Sequence, residues 1–334
     1  MATCWGICSA GKISHDFLVA LKTLPTEDHK VVAIAARDLS RAQEYAQTFG
    51  IPRAYGSYKE LSQDPDVDVV YVGVVHPQHL PVSLIFLQAG KHVLCEKPMG
   101  MNVGEVRALG QAAWEHGVFL MEAFWSRYFT AYERIRSLLS QGAVGEVRMV
   151  QATFGVPISG TPRIVEKELG GGTLLDIGCY CVQLACMAFG REKPESIVAS
   201  GFLFKTGVDE LASIILNYPG KRQAVLTCSS TIQLPNQASI SGTKGIIQIP
   251  APFWCPTELI VNWQRESFPL PSPSLPLNFT NSTGLRYEAE YVRQCLLKGL
   301  KESPITPLSD SELVVSILDE VRRQLGVSYP QDQA

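Results

Sequence analysis

The chain has 334 residues, of which 46% are hydrophobic, and its formal net charge is -3 at pH 7. This length predicts two domains, and the near-zero charge argues against a nucleic-acid partner, which requires a basic surface. The apolar runs are shorter than the ~20 residues that cross a membrane, and no signal peptide is visible, so we expect a cytoplasmic protein with no membrane partner. The nine cysteines lack metal-ligand spacing and predict free thiols without a metal site.

The first part of the chain alternates short apolar runs with amphipathic stretches. Strands are predicted at 3–8, 30–36, 67–73, 92–95 and 118–122, and helices at 13–24, 40–49, 80–89 and 103–116. This alternation is typical of α/β proteins with a doubly wound parallel sheet, the Rossmann architecture. We therefore predict a dinucleotide-binding domain over residues 1–123.

The turn after the first predicted strand reads Ser9-Ala10-Gly11-Lys12-Ile13-Ser14. Only Gly11 matches the dinucleotide pattern Gly-x-Gly-x-x-Gly, and serines stand where the flanking glycines would be. The position between a strand and a helix is nevertheless the one at which a pyrophosphate meets a helix N-terminus. The predicted cofactor contacts in this turn are Ser9, Gly11, Lys12 and Ile13.

The end of the second predicted strand indicates the type of cofactor. Arg37 stands at the tip of the strand and Arg41 follows one helical turn later. Guanidinium groups match a 2′-phosphate, whereas NAD sites usually place an acid here for the ribose hydroxyl. We predict NADP, although the neighbouring Asp38 leaves NAD open.

Two further strand ends supply candidate site residues. The turn after residue 73 carries His76 and His79, which either contact the cofactor or cap the following helix, and Tyr71 precedes it in a pattern that also fits core packing. The next strand ends at Glu96 and Lys97, followed by a proline. Because ligands of open α/β sheets lie beyond the carboxyl ends of the strands, Lys97 is a candidate catalytic group, and a cis Lys97–Pro98 bond is possible at small cost.

The pattern changes after residue 123. A helix is predicted at 132–140, followed by strands at 146–154, 195–203, 209–218, 223–230, 238–241, 245–249 and 258–261, and by closing helices at 285–300 and 309–325. Short strands with few intervening helices predict an open, mostly antiparallel sheet in a second α+β domain. We assign residues 124–334 to this substrate-binding domain and expect the closing helices to pack back on the first domain.

A glycine-rich motif lies inside the second domain. It reads Gly170-Gly171-Gly172-Thr173-Leu174-Leu175-Asp176-Ile177-Gly178-Cys179-Tyr180. The glycines leave backbone space for a ligand, and helical spacing would place Asp176 and Tyr180 on one face. A phenol near the Lys97 ammonium could handle a proton.

Taken in order, the Ser9–Ser14 turn, Glu96-Lys97-Pro98 and the motif that ends at Tyr180 resemble the Gfo/Idh/MocA family of NAD(P)-dependent oxidoreductases. The resemblance implies that Lys97 and Tyr180 form the catalytic pair, with Asp176 beside them. It also implies a homodimer formed through the open face of the second sheet.

The resemblance further implies a small-molecule diol or sugar as substrate, which we expect to lose a hydride to the nicotinamide while Tyr180, assisted by Lys97, takes the hydroxyl proton. Trp125, Phe154 and Phe279 are candidate apolar walls of the substrate site. Two alternatives stay open at this point. One is another sugar or imine oxidoreduction on the same scaffold, and the other is a non-catalytic NADP-sensing protein.

Overall fold

The structure is a computed structural model and describes residues 1–333. The chain forms two compact units. Unit 1 contains Met1–Met99, Gly104–Tyr128 and Leu270–Leu308, and unit 2 contains Gly100–Val103, Phe129–Pro269 and residues 309–333. A single boundary after residue 123 does not describe this division, because the segment at 270–308 returns to the first unit.

Unit 1 is built around a parallel sheet. Its strands are β1 (Thr3–Cys8), β2 (His29–Ala35), β3 (Arg53–Tyr55), β4 (Val69–Val72), β5 (His92–Glu96) and β6 (Leu120–Ala123). The helices between them are α1 (Lys12–Leu21), α2 (Leu39–Phe49), α3 (Tyr58–Ser62), α4 (His79–Gln88) and α5 (Val103–Glu115), with short 3-10 turns at His76–Gln78 and Trp125–Tyr128. All five predicted strands and four predicted helices of this part are present, and β3 and α3 were not predicted.

The order of the strands in this sheet is β3-β2-β1-β4-β5-β6, and each pair is parallel. The order reverses between β1 and β4, where doubly wound sheets bind their ligands. All four residues of β4 are buried, as expected for a strand covered by helices on both faces. The predicted Rossmann sheet is confirmed.

Unit 2 contains a second, larger sheet. Its elements are α6 (Thr130–Ser140), β7 (Val147–Gly155), α7 (Pro162–Val165), a 3-10 turn at Lys167–Leu169, a π-helical turn at Leu174–Gly178, α8 (Cys179–Ala188), β8 (Ser196–Leu203), β9 (Asp209–Tyr218), β10 (Arg222–Ser229), β11 (Ala238–Gly242), β12 (Gly245–Ile249), β13 (Glu258–Val261) and β14 (Gln264–Ser267). The strand order is β14-β13-β12-β11-β7-β10-β9-β8, and only the β7–β10 pair is parallel. The predicted α+β unit with a mostly antiparallel sheet is confirmed, with β14 in addition.

The two closing helices belong to different units. The helix α9 (Leu285–Leu297) lies in unit 1, after a 3-10 turn at Ser282–Gly284. It is joined to the start of β2 by a hydrogen bond between Glu290 and His29 Nε2 at 2.8 Å and by an ion pair of Arg293 with Asp28 at 2.7 Å. The helix α10 (Leu308–Leu325) lies almost entirely in unit 2 and precedes a last 3-10 turn at Pro330–Gln333. By this division α9 belongs to the first unit and α10 to the second. The expected packing of both closing helices on the first domain stays a prediction.

One segment satisfies the length and composition of a membrane-crossing helix. It runs over Lys167–Ala188, and 94% of its most apolar window is buried within the protein. Burial of this extent is typical of the core helix of a globular domain.

Candidate active site

The end of β5 presents Lys97 on a cis peptide bond to Pro98. The preceding Glu96 is 7% exposed, and its Oε1 accepts a hydrogen bond from the hydroxyl of Tyr71 at 2.6 Å. Tyr71 stacks on Phe17 with ring centroids 3.9 Å apart and is fully buried. Tyr71 therefore packs in the core, which its sequence pattern also fitted, and its hydroxyl holds Glu96. Its predicted contact with the cofactor stays a prediction.

His79 holds the other side of this turn. Its Nδ1 lies 2.7 Å from the carbonyl oxygen of Pro98, and its Nε2 lies 3.0 Å from that of Val74. The imidazole is fully buried, and burial lowers its pKa to about 4 against the raising effect of the two carbonyls. A neutral imidazole carries one N–H, so one of the two carbonyls accepts a hydrogen bond at a time. His79 is thus a structural tie for Pro98, whereas His76, 5.7 Å away between ring centroids, is half-buried.

A buried acid beside Glu96 escaped the sequence analysis. Glu288 of α9 is 0% exposed, and neither carboxyl oxygen has a hydrogen-bond partner within residues 1–333. Burial and, second, the charge of Glu96 raise the pKa of Glu288 well above its usual range, which favours a neutral acid. The available signal was its position on the apolar face of α9, in register with Leu285, Ala289 and Val292.

The turn between β1 and α1 is open where a dinucleotide would approach. Ser9 has a φ of 91°, a value that glycine adopts more easily, and it occupies the position of the first glycine of the pattern. Gly11 caps α1 with extended backbone and no side-chain hydrogen bond, and a Cβ added there would meet no described atom closer than 3.6 Å. The protein's own packing does not require this glycine, which fits the close approach of a pyrophosphate to the N-terminus of α1. Lys12 and Ile13 form the first turn of the helix.

The tip of β2 carries two arginines and an acid that is already engaged. Asp38 Oδ1 accepts hydrogen bonds from the backbone N–H of Ser40 at 2.9 Å and from its hydroxyl at 2.8 Å, and these bonds lower the pKa of Asp38. Arg37 is exposed, and Arg41 pairs with Glu44 at 2.6 Å. The acid that could hold a ribose hydroxyl therefore serves as the N-cap of α2, while both guanidinium groups remain at the surface.

Tyr58 is a further residue of this region that the sequence analysis missed. Its phenol lies near Arg37 and Ser9; burial raises its pKa to about 12, and both neighbours oppose that shift. It lies on α3, a helix too short to be visible in the hydrophobic pattern.

Phe279, a predicted substrate wall, lies on a segment that is fastened to α1. The buried carboxylate of Asp16 accepts hydrogen bonds from the backbone N–H groups of Asn278 and Phe279, each at 2.9 Å, and from the Ser282 hydroxyl at 2.6 Å. Phe279 itself is 36% exposed. Trp125, a second predicted wall, is buried in the 3-10 turn at Trp125–Tyr128.

In unit 2, Asp176 lies in the π-helical turn and Tyr180 in the first turn of α8. Asp176 Oδ1 accepts a hydrogen bond from Arg163 Nη1 at 2.5 Å, so its charge is paired with a guanidinium that the sequence analysis did not identify. Because the turn is π-helical, the α-helical spacing that predicted a shared face for the two residues holds only from Cys179 onward. Both residues are 6% exposed.

An aromatic cluster adjoins Tyr180 within the same unit. The Phe154 ring lies 5.6 Å from that of Tyr180 and stacks on Trp254 at 3.6 Å, between ring centroids. Phe154 was predicted as a substrate wall, and Trp254 was not. The structure therefore places one predicted apolar wall beside the predicted catalytic phenol.

The glycines of the Gly170–Tyr180 motif have a different role from the one predicted. A Cβ at Gly171 would lie 2.7 Å from the carbonyl oxygen of Glu166, and one at Gly178 would lie 2.9 Å from the Sγ of Cys228. The space beside these two glycines is filled by protein atoms, so they permit close packing of the helix that carries Tyr180 and leave no room for a ligand there. Glycines of either role look the same in a sequence.

The predicted residues thus divide between the two units. Lys97, Trp125 and Phe279 lie in unit 1 with the whole predicted cofactor site, and Phe154, Asp176 and Tyr180 lie in unit 2. The meeting of Lys97 with Tyr180 stays a prediction.

A parallel sheet of this order, with an open glycine turn after its first strand, defines a dinucleotide-binding protein joined to a second, sheet-based unit. Two family models match the chain: an oxidoreductase family with an NAD-binding Rossmann fold over residues 4–124, and the Gfo/Idh/MocA C-terminal domain over residues 132–248. The chain belongs to the Gfo/Idh/MocA family of oxidoreductases.

Its relatives extend over the full length. The chain is 62% identical over 330 residues to the trans-1,2-dihydrobenzene-1,2-diol dehydrogenase of Xenopus tropicalis, covering 99% of this chain and 100% of the relative. It is 52% identical to the protein of that name from Homo sapiens, covering 100% of both chains. Among solved structures, a 3-ketoreductase from Actinomadura kijaniata in complex with NADP and TDP-benzene is 26% identical, with a TM-score of 0.80 and coverage of 97% and 98%. The levoglucosan dehydrogenase complex with NADH, 20% identical with a TM-score of 0.84 and 98% coverage of both chains, shares the fold.

Proposed function

We propose that this protein is an NADP-dependent dehydrogenase that oxidises trans-1,2-dihydrobenzene-1,2-diol to catechol, with oxidation of D-xylose to xylonolactone as a second activity. The observation that carries the proposal is the identity of 52–62% over the full length with dehydrogenases named for that diol. The paired groups Lys97 and Tyr180 of the family motif are both present, which disfavours a non-catalytic NADP sensor.

NADP is proposed over NAD on account of the β2 tip. The exposed Arg37 and Arg41 offer forked donors for a 2′-phosphate, and Asp38 is occupied as a helix cap. Replacing Arg37 by Ala is expected to weaken NADP binding about 10- to 100-fold, which corresponds to the loss of one charge-assisted interaction, and to leave NAD binding unchanged. Fluorescence titration with both cofactors measures this, with Arg323→Ala, an exposed arginine of α10, as the control. Equal losses for NAD and NADP would reject the assignment.

For the chemistry, NADP supplies the hydride acceptor when it is bound. We assign the proton transfer to Tyr180, whose phenolate takes the proton of the reacting hydroxyl, with the Lys97 ammonium stabilising that phenolate. Asp176, paired with Arg163, orients these groups or the substrate, and Phe154 and Trp254 provide an apolar wall beside Tyr180. Loss of one carbinol hydride and one hydroxyl proton from the diol leaves a ketol, which tautomerises to catechol, and the gain in aromaticity drives the reaction forward. At the anomeric carbon of D-xylose the same loss gives the lactone.

We also propose a homodimer formed through the second sheet, working in the cytoplasm. The face of β8 and β9 exposes large apolar side chains, with Phe202 at 69%, Val198 at 54% and Ile215 at 36%. An exposed apolar patch of this kind is typical of an interface. The nine cysteines are all free, which fits a reducing compartment.

A turnover screen tests the proposed activity. Diols, pentoses and imines are supplied with NAD or NADP side by side, and the reduced cofactor is followed by absorbance. We expect turnover with the dihydrodiol and NADP, and a loss of about 10²- to 10⁴-fold in kcat for Tyr180→Phe with NADPH affinity unchanged.

Tyr218→Phe provides the matched control for that variant. Tyr218 is a buried tyrosine of unit 2 whose hydroxyl has no hydrogen-bond partner within residues 1–333, so its removal leaves the kcat unchanged. Full activity of Tyr180→Phe would reject the role of the phenol. If the enzyme turns over only sugars or only imines, that class replaces the diol as the substrate in the proposed function.

A further inference from the structure

The helix that carries Asp176 and Tyr180 begins against a buried carboxylate from another element of unit 2. Asp209, the first residue of β9, is 0% exposed, and its Oδ2 accepts a hydrogen bond from the backbone N–H of Leu174 at 2.6 Å. The first N–H groups of a helix have no partner within the helix, and a negative charge there is stabilised by the helix dipole. Asp209 therefore acts on the first turn of the helix as a cap supplied from the sheet.

The residues before Leu174 also contact Asp209 or its neighbours. The Thr173 hydroxyl donates to the carbonyl oxygen of Glu210 at 3.0 Å and lies 2.6 Å from the Ser230 hydroxyl. Gly172 has a φ of +122°, and a Cβ added there would lie 2.6 Å from Asp209 Oδ1. The glycine allows the chain to pass directly over the carboxylate, so the position of Asp209 and the course of the backbone into the catalytic helix determine one another.

The charge of Asp209 is finely balanced. Burial raises its pKa to about 6, opposed by the N–H groups of Leu174, Asp209 itself and Thr173 and by the charge of Arg322 on α10. The other titratable groups that act on it are the Cys228 thiol of β10 and the phenol of Tyr329, and the charge of Arg322 is shared with Asp319 and Asp332. Oδ1 has no hydrogen-bond partner within residues 1–333. The hydrogen bond from the Leu174 N–H to Oδ2 is therefore the contact that orients the carboxylate.

We infer that Asp209 is a positioning residue for catalysis: its carboxylate fixes the first turn of the helix that carries Asp176 and Tyr180, and through that turn it sets the position of the Tyr180 phenol. The inference rests on the proposed function, in which Tyr180 takes the substrate proton. A charge-assisted hydrogen bond is stronger than a neutral one, so protonation of Asp209 loosens the turn. We expect kcat to fall as the pH drops through about 6, the pKa of this carboxyl.

The test compares Asp209→Ala and Asp209→Asn with the wild type between pH 5 and 8. Asp209→Ala removes the acceptor, and kcat is expected to fall about 10- to 100-fold, the effect of a small misplacement of a reacting group, with NADPH affinity and the substrate KM nearly unchanged. Asp209→Asn keeps a neutral acceptor that does not titrate, so its kcat is expected to lie near that of the wild type at low pH and to show no acid limb near pH 6. Glu210→Gln is the matched control, because Glu210 contributes its backbone carbonyl to this region.

Hydrogen–deuterium exchange of residues 172–180 provides a measurement that is independent of turnover. Exchange at the Leu174 amide is expected to accelerate in Asp209→Ala and to stay slow in Glu210→Gln. Wild-type kcat in Asp209→Ala, an acid limb that persists in Asp209→Asn, or unchanged exchange would each overturn the inference. If Asp209→Ala does not fold, the pH profile of Asp209→Asn decides. An inactive wild type would refute the proposed function, and the exchange comparison would still decide whether Asp209 holds the turn.

Discussion

The two candidate catalytic groups are held in place by different means. Around Lys97, in unit 1, side chains hold the backbone: Tyr71 donates to Glu96, and His79 faces the carbonyl of Pro98. Around Tyr180, in unit 2, close backbone packing dominates: Gly171 and Gly178 touch neighbouring atoms with no room for a Cβ. The first arrangement depends on the protonation states of several side chains, whereas the second depends on shape and, at the first turn of the helix, on the Asp209 carboxyl.

This difference determines which substitutions are informative in each unit. A polar side chain near Lys97 can be replaced by a nearly isosteric one that does not titrate, and the result is a change in pH dependence. A glycine under the Tyr180 helix can only be enlarged, and the result is a steric cost that does not vary with pH.

The largest effect is expected at Lys97. Replacing it by Met keeps the length of the side chain and removes the ammonium to which the proposed function assigns the stabilisation of the Tyr180 phenolate. We expect kcat to fall about 10²- to 10⁴-fold, the usual contribution of acid–base assistance, with the melting temperature unchanged. Steady-state kinetics measure this, and Lys298→Met, at an exposed lysine of unit 1, is the control. A Lys97→Met enzyme with normal kcat would show that the ammonium takes no part in the reaction.

The next effect tests the shape-dependent side of the comparison. Gly172→Ala combines a φ of +122° with a Cβ 2.6 Å from Asp209 Oδ1, and we expect a loss of about 2–4 kcal/mol in the free energy of unfolding. Gly190→Ala separates the two causes, because Gly190 has a φ of +68° and a Cβ there would have no described atom within 4 Å. That control is expected to lose about 1 kcal/mol in chemical denaturation. Equal losses of unfolding free energy in the two variants would show that the close approach of a Cβ to Asp209 Oδ1 does not contribute.

The same contrast explains what could be predicted from the sequence. In unit 1, Gly11, Arg37 and Lys97 each lie within three residues of the end of a strand, so the strand pattern alone predicted them at the edge where such sheets bind ligands. Tyr58 and Glu288 could not be found in this way, because one lies on a single-turn helix and the other comes from a segment almost 200 residues after Lys97 in the chain.

In unit 2, the sequence singles out the Gly170–Tyr180 motif as a candidate site, but it does not reveal why Gly171 and Gly178 are glycines. Gly171 and Gly178 are required by atoms of Glu166 and Cys228, and no local pattern reveals tertiary contacts of that kind. Arg163 and Trp254 were missed for the same reason, since they meet Asp176 and Phe154 only after the chain has folded.

A smaller effect concerns the pH dependence of stability that His79, which contacts the carbonyl of Pro98, confers on the protein. Burial lowers the pKa of His79 to about 4, below the ordinary 6.5, so the unfolded chain binds the proton more readily than the folded one. The stability that results is fully present above pH 6.5 and is lost as the pH falls towards 4, by about 3 kcal/mol for a shift of this size. In His79→Gln this part of the acid destabilisation is expected to disappear in urea titrations at pH 7, 5.5 and 4. The matched control is His116→Gln, at an exposed histidine, and parallel pH curves for wild type and His79→Gln would contradict the account.

The smallest effect is expected at Asp16, whose hydrogen bonds hold the Phe279 segment on α1. Asp16→Asn keeps one acceptor but turns an N–H₂ group towards the backbone N–H groups of Asn278 and Phe279, which costs about 2 kcal/mol of stability. Because the segment carries a proposed substrate wall, its loosening is expected to raise the substrate KM a few-fold while kcat changes little. Asp28→Asn is the matched control: it removes a different carboxylate tie of the same region, the ion pair of Asp28 with Arg293 on α9, and leaves the Phe279 segment untouched. If both variants lose stability and neither changes KM, Asp16 stabilises unit 1 without shaping the substrate site. If KM rises in Asp16→Asn and not in Asp28→Asn, side-chain hydrogen bonds position the proposed substrate wall at Phe279. Unit 1 would then hold both Lys97 and this wall by side-chain hydrogen bonds.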